Sequence, residues 1–291
     1  KSFITEAKEE KYKLLILSHD DPFDPNETGP MVRKKASELG IEVYLAEFSG
    51  MYMEDKGKDQ LIYSFPVDEK GKVELPGMKD DVEYDKPFRI NPENTLVMAR
   101  GIGSTVKTGN LSWRVACLNL ESQGYTLINP VICHDICNDK WYNQIVFQQN
   151  DIRTPNTVLV RHSEGAEDAA KRLGNKFPMI LKTAVGSRGV GVIWIESLKA
   201  LHSVIQLLHR EDEFVDVLLQ EYIKTDYDVR VIIAAGEILG AIKRPVVGDD
   251  FRSNVSQGSE PVSHELTERE AQESLRAAES VQGQVVGVDF I

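Results

Sequence analysis

Two lysines, three arginines and one aspartate stand among neighbours that could turn them to chemistry. Lys182 ends an apolar run and is followed by glycines in a GxxGxG pattern, within LKTAVGSRGVGV from Leu181 to Val192. Lys140 opens DKWYNQIVFQQNDI, whose apolar residues fall at helical spacing. Two ammonium groups beside a glycine-rich turn would suit a polyphosphate, which lysine meets as a point charge; alone, either lysine would read as solvated surface. The turn is not a Walker loop, because the lysine precedes the glycines and a strand-like run follows them. Nor is it a dinucleotide-binding turn, whose GxGxxG sits between a strand and a helix. It reads as a β-hairpin tip, with Gly186, Gly189 and Gly191 folding backbone over phosphates, although a plain hairpin would use glycines in the same way.

A second group lies further on. Arg230, Arg244 and Arg252, with Asn254, fall among strand and loop residues of an acidic chain. A carboxylate substrate and its acyl phosphate would occupy such guanidiniums through bidentate contacts and charge stabilisation; surface ion pairs are the plainer alternative. Asp289 sits in GVDFI, a strand too apolar to hold a charge comfortably, so it is expected to be buried and either paired or bound to a metal. Mg²⁺ (or Mn²⁺) fits, since Mg²⁺ takes oxygen ligands and is shared between carboxylates and nucleotide phosphates. The strand end Gln220-Glu221-Tyr222-Ile223 could offer backbone N–H and C=O to an adenine edge, or be an ordinary sheet edge.

The elements that must position these residues follow from periodicity and turn chemistry. The chain has 291 residues and a net charge of -12, enough length for two or three domains and the wrong charge for general nucleic-acid binding. No apolar run reaches the roughly 18 residues of a membrane span, and the opening KSFITEAKEEKYK is too charged for a signal peptide, so a cytoplasmic protein is expected. Cys117, Cys133 and Cys137 make no disulfide framework, and CHDIC gives an incomplete set for zinc. YKLLILS, a helix from Met31 to Leu39 closed by Gly40, and IEVYLAEF read as βαβ, hence a parallel sheet. LVMAR, a helix over residues 110–122 and YTLIN extend it. Between Asp55 and Asn94 lies an insertion, read as a hairpin around DEKGK plus a loop. From Asp139 come a helix, the strand TPNTVLV, a helix over 165–173, FPMILKTA, the glycine loop, GVIWIE and a helix over 198–209. The remainder reads as strands DVLLQEYI and DVRVIIAAGEILGAIKR, the latter with a Gly-Glu turn, a polar loop, a helix over 268–282 and VVGVDFI, an α+β arrangement.

The stretches DKWYNQIVFQQNDIRTPNTVLV, LKTAVGSRGVGV, LLQEYI with DVRVII, AIKR, DDFRSN and GVDFI, in this order and spacing, resemble the ATP-grasp ligases, and within them the RimK group of glutamate ligases. The likeness runs from about Leu96 to Ile291, and DFRSN after an IxR strand is its most specific motif. It implies an α/β and α+β chain: a parallel-sheet pre-ATP-grasp domain over 1–130 with the insertion at 55–94, a central and lid subdomain over 131–215 and a C-terminal subdomain over 216–291. It implies that the glycines form the lid hairpin. It implies ATP contacts at Lys140, Lys182, Gly186, Ser187, Gly189, Gly191, Glu221, Tyr222, Ile223, at Asp228 through the ribose, and at Arg252, Ser253 and Asn254. Catalysis would fall to Arg230, Arg244, Arg252 and Asn254, and Asp289 would be the first of three metal ligands, with a Glu and an Asn expected on a strand beyond Ile291. The implied reaction activates a carboxylate as an acyl phosphate, which an amine then attacks. In this group the amine is glutamate and the acceptor a peptide or protein C-terminus, such as that of a ribosomal protein, with self-association common. Other ATP-grasp amide ligases and a non-catalytic nucleotide-binding module are the competing readings.

Overall fold

A computed structural model of the chain describes residues 12–18, 28–47, 51–56, 59–64, 87–99, 111–185, 191–211, 215–246 and 260–291. They divide into two compact units, Lys1–His134 and Asp135–Ile291.

The first unit is built on a parallel sheet. Strand β1 (Lys13–Ser18) is followed by helix α1 (Thr28–Glu38) and β2 (Glu42–Glu47), which pairs with β1 in parallel. The helix stops because Gly40 adopts φ +76°, allowing the Ile41 N–H to reach back to the Ala36 carbonyl at 3.0 Å. Along β1, Leu15 and Leu17 enter one core and Leu14 and Ile16 another, which is why KLLIL is apolar throughout rather than alternating. Strands β3 (Met51–Lys56) and β4 (Asp59–Ser64) form an antiparallel hairpin, and β5 (Phe88–Ile90) adds a third strand to it. The insertion thus begins with a hairpin earlier than DEKGK, which itself lies outside the described residues. Its Ile62, Phe88 and Ile90 pack into the core that holds Leu15 and Leu17. β6 (Thr95–Ala99), helix α2 (Leu111–Ser122) and β7 (Thr126–Ile128) complete the parallel sheet, in the order β2-β1-β6-β7. Helix α3 (Val131–Asn138) was not expected from the sequence. It carries CHDIC, with Cys133 buried and Cys137 exposed; no disulfide joins any of the three cysteines, and no described group of His, Cys, Asp and Glu could hold a metal.

In the second unit helix α4 (Lys140–Gln149) starts at Asp139, whose Oδ1 accepts from the N–H groups of Trp141 and Tyr142 at 2.8 and 3.0 Å. Then come β8 (Thr157–Val160), a 3-10 turn (Ser163–Gly165), helix α5 (Ala166–Arg172), β9 (Met179–Thr183), β10 (Val192–Ile195), helix α6 (Leu198–Glu211) and β11 (Val217–Glu221). These strands form an antiparallel sheet, β10-β9-β11-β8, and Met179, Leu181, Val217, Leu219 and Ile195 pack from one face with Ala166, Ala169, Leu201 and Ile205 of α5 and α6. A second antiparallel sheet has the order β14-β13-β12-β15, from β12 (Tyr227–Ala234), β13 (Glu237–Pro245), β14 (Val262–Ser263) and β15 (Val285–Phe290). Helix α7 (Glu268–Ser280) covers one face, where Ala278 and Leu275 meet Val229, Val231 and Ile233. A capping box between Thr267 and Glu270 fixes its start. The β12–β13 turn is Ala235-Gly236, with φ +50° and +77°, rather than Gly-Glu. Among the described residues no helix is long and apolar enough to cross a membrane.

Candidate functional site

Period-2 alternation decides which side chains leave the core. On the β9 sheet, the face opposite α5 and α6 carries Ile180 and Lys182, with Gln220 across from Ile180 and Trp194 on its other side. Lys182 Nζ donates to Gln220 Oε1 at 2.7 Å, and Gln220 Nε2 donates to Thr157 Oγ1 at 2.8 Å, a relay that fixes the ammonium. The start of α4 is stitched to the end of β9: Lys140 N–H donates to the Ala184 carbonyl at 2.9 Å, and Asp139 bridges Val185. Lys140 Nζ donates to the carbonyls of Thr183 and Ala184 at 3.1 and 3.4 Å. The two ammonium groups therefore converge at the base of the glycine loop. Burial pushes the Lys182 pKa down, and the neighbouring Lys140 charge adds to this. Burial also lowers Lys140, against a partial opposing pull from Asp139. Lys182 is thus a cation whose hydrogen-bond acceptor is neutral and which feels the like charge of Lys140, an arrangement that an anion relieves.

Gly191 closes the β9–β10 hairpin. Its φ is +78° and a Cβ there would lie 2.6 Å from Thr183 Oγ1, so both backbone and space demand glycine. Gly186, Ser187 and Gly189 lie outside the described residues, as do Arg252, Ser253 and Asn254. At the end of β11, Glu221 uses its N–H on the Asn156 carbonyl at 3.0 Å and its Oε1 on the Asn156 N–H at 2.7 Å. Any backbone contribution to a ligand from this segment then falls mainly to Tyr222 and Ile223. The Tyr222 ring meets the Trp194 ring edge-on at 4.7 Å. Sequence reading placed Gln220 in the strand end for its backbone alone and gave no role to its side chain or to Trp194. The signal for Gln220 was its place in LLQEYI; that for Trp194 was an aromatic at period 2 from Val192 in β10.

The other sheet carries a second polar group on the face away from α7. Register places Asp228 opposite Arg244 and Arg230 opposite Asp289. Arg244 Nε and Nη2 donate to the two Asp228 oxygens at 2.7 and 2.6 Å, and Arg230 does the same to Asp289 at 2.6 and 2.6 Å. A further contact, Arg244 Nη2 to Asp289 Oδ1 at 3.2 Å, joins the pairs into a quartet. Burial opposes the Arg244 charge, but its bonds to Asp228 and the charges of Asp289 and Asp228 outweigh this and raise its pKa. Arg244 and Asp228 are buried, at 3% and 9% exposure, whereas the side chains of Arg230 and Asp289 are both 42% exposed. Asp289 is therefore not the buried carboxylate the apolar strand suggested: it stands on the open face of β15. Its oxygens accept from two arginines, so the described residues alone do not form a metal site.

The family model of the RimK-like ATP-grasp domain matches residues 137–291, more than half of the chain. Among curated relatives, a probable alpha-L-glutamate ligase of Rhodopirellula baltica is 31% identical over 155 residues, 53% of this chain and 38% of that protein. A probable alpha-L-glutamate ligase of Histophilus somni is 30% identical over 221 residues, 73% of this chain and 72% of that one. A ribosomal protein bS6--L-glutamate ligase of Escherichia fergusonii is 29% identical over 178 residues, covering 60% and 58%. The chain thus spans between about two fifths and three quarters of these relatives. Among solved structures, the macrocyclase MdnC of Microcystis aeruginosa MRC, bound to its precursor peptide MdnA, superposes with a TM-score of 0.62 at 14% identity over 96% of this chain and 86% of that one, a likeness of fold. These comparisons establish that the chain belongs to the RimK-like ATP-grasp family of carboxylate–amine ligases.

Proposed function

We propose that this chain is an ATP-dependent ligase that joins the amine of glutamate to the C-terminal carboxylate of a peptide or protein through an acyl phosphate. The observation that carries the nucleotide half is the convergence of Lys140 and Lys182 at the base of a glycine hairpin, with Lys182 held by a neutral amide. The names of the relatives, which include alpha-L-glutamate ligases and a ligase for ribosomal protein bS6, support glutamate as the amine and a protein C-terminus as one acceptor.

In this reading Lys140 and Lys182 hold the phosphates, Tyr222 and Ile223 border the base, and Gly191 sets the hairpin that excludes water. A carboxylate oxygen attacks the γ-phosphorus, the bond to the β-phosphate oxygen breaks, and ADP leaves with its electron pair. The amine nitrogen then attacks the acyl carbon, the C–O bond to phosphate breaks, and phosphate and one proton are released. Arg230 and Arg244 supply fixed positive charge toward the oxyanions that form. Asp228, whose two oxygens Arg244 holds, would approach the ribose only through its remaining lone pairs. A divalent cation accompanying ATP would neutralise phosphate charge, and Asp289 could offer it oxygen only through lone pairs that Arg230 and Arg244 leave.

Mass spectrometry after incubation with ATP, Mg²⁺, glutamate and a panel of peptides tests the proposal. The expected result is a mass increase of one glutamyl residue with stoichiometric ADP. ADP release that ignores both amino acid and peptide would refute it.

A further inference from the structure

β13 contains one residue too many for its partner. Ile232 pairs with Gly240 and Ile233 with Ile238, so Leu239 is an inserted β-bulge residue. Bulges re-aim a side chain and are frequent next to binding sites. Here the bulge leaves Leu239 67% exposed beside Ile232, itself 39% exposed, although an ordinary register would have put that leucine in line with the strand's alternation. The two aliphatic side chains, with Ile242 and the stem of Arg230, line an open hollow of about 320 Å³ floored by Gly240 and Ala241. That is the lower end of the range for small-molecule sites. A Cβ on Gly240 would meet nothing within 4 Å, so a side chain at this position would project into the open hollow without a clash. On the other side of Ile232 stands Gly287, where a Cβ would only touch Ile232 and Arg230 at 3.6 to 3.8 Å.

The hollow lies one step along β12 from the Arg230 guanidinium, since residues 230 and 232 share a face and are separated by about 6.7 Å of strand. Arg230 spends Nε and one Nη2 proton on Asp289, and a guanidinium has five N–H groups, so its outer edge can still receive a carboxylate. A residue whose α-carboxylate meets that edge can lay its own side chain over Ile232 and Leu239. We propose that the bulge at Leu239 builds a specificity subsite for an aliphatic side chain on the substrate that presents a carboxylate to Arg230, and that this substrate is a peptide ending in an aliphatic residue. The inference rests on the ligase reading and deepens it by naming the acceptor's last residue.

The test is calorimetric titration of the chain, saturated with the non-hydrolysable analogue AMP-PNP, by Ac-Gly-Gly-Leu, Ac-Gly-Gly-Ala and Ac-Gly-Gly-Glu, with free leucine as a further arm. The leucine peptide should bind about tenfold more tightly than the alanine peptide, the smaller end of what an apolar pocket discriminates, and more tightly than the glutamate peptide. Leu239→Ser, which removes a wall, and Gly240→Val, which fills the floor, should each bring the leucine-to-alanine ratio towards one without changing AMP-PNP affinity or the thermal transition. A ratio near one in the unaltered chain, a ratio that survives both variants, or preference for the glutamate peptide overturns the subsite. Binding of free leucine in place of the peptides, sensitive to both variants, supports the hollow and overturns the peptide as its source. AMP-PNP binding is read separately: its absence from the unaltered chain refutes the ligase reading, whereas normal AMP-PNP binding without discrimination refutes only the hollow.

Discussion

The second unit carries two polar clusters of opposite design. Around β9, Lys182 and Lys140 are partly buried, bonded to amide and backbone oxygens, and each has its pKa lowered by burial. Around β12, two arginines and two aspartates neutralise one another within hydrogen-bond distance. The first cluster brings two like charges together, with Asp139 offsetting only part of what burial does to Lys140, whereas the second pairs each arginine with an aspartate. Compensation of this kind decides where an alteration registers. Removing a lysine should be felt in the affinity for an anion, because the folded protein gives up little by losing it. Removing Arg244 should be felt in folding, because Asp228 is then left buried without its bidentate partner.

The largest effect expected is therefore on stability. Arg244→Ala strands the Asp228 carboxylate, which is 9% exposed, and should cost about 3–5 kcal/mol in denaturant unfolding. The double variant Arg244→Met, Asp228→Leu should recover most of that, since an apolar pair of similar volume avoids the desolvation of both ions. If the single variant unfolds at an unchanged denaturant midpoint, the quartet is not the stabilising arrangement its geometry indicates.

Next comes Lys182→Ala, expected to weaken ATP binding by about 1.5–3 kcal/mol, the range for hydrogen bonds to charged groups, and adenosine much less. Its unfolding free energy should hold or rise slightly, because a partly buried like charge beside Lys140 is removed. Equal losses for ATP and adenosine in calorimetry would show that Lys182 does not touch phosphate.

Arg230→Lys separates the two designs within one cluster. The Arg230–Asp289 pair is 42% exposed on both sides, so its stability cost should stay within about 1 kcal/mol. Ligation should nevertheless fall, because an ammonium cannot hold Asp289 bidentately and offer an outer edge at once. Unchanged turnover at saturating substrates would remove Arg230 from the reaction.

Much of this was legible in the sequence where one strand decides the matter by itself. DVRVII shows its alternation, so the division of Val229 and Val231 from Asp228 and Arg230 could be read directly. KLLIL announced a strand buried on both faces, and Gly40 the end of α1. Features that depend on two distant segments were not legible. That Arg230 meets Asp289 follows from the register of strands 59 residues apart, and the bulge at Leu239 exists only relative to β12. Helix α3 escaped because VICHDICN is short and lacks a capping residue or a terminal glycine. The β3–β4 hairpin has a signal in MYMEDKGKDQLIYS, a glycine between two matched runs, that the reading of a turn at DEKGK passed over. Lys140 opens α4 and Lys182 lies near the end of β9, as their spacing indicated, whereas the relay through Gln220 and Thr157 depends on the pairing of three strands.

The smallest effect expected is a shift in a pH profile, and it bears most directly on the difference between the clusters. Phosphate binds the ammonium form of Lys182, not the amine. Burial and the Lys140 charge lower the pKa of Lys182 in the free protein, so deprotonation begins at a lower pH than for a surface lysine. A bound polyphosphate favours the charged form and raises that pKa. The sign follows: ATP affinity is complete below the free-state pKa of Lys182 and declines as pH rises through it, with proton uptake on binding in that window. The quartet offers no matching transition, because its arginines stay charged throughout. Calorimetry of ATP binding in buffers of different ionisation enthalpy, from neutral pH upward, measures the proton uptake. The uptake should appear on the alkaline side, vanish in Lys182→Ala and persist in Arg230→Lys. Were it identical in all three proteins, the titrating group would lie outside the lysine pair, and the two like charges at β9 would not be what ATP meets.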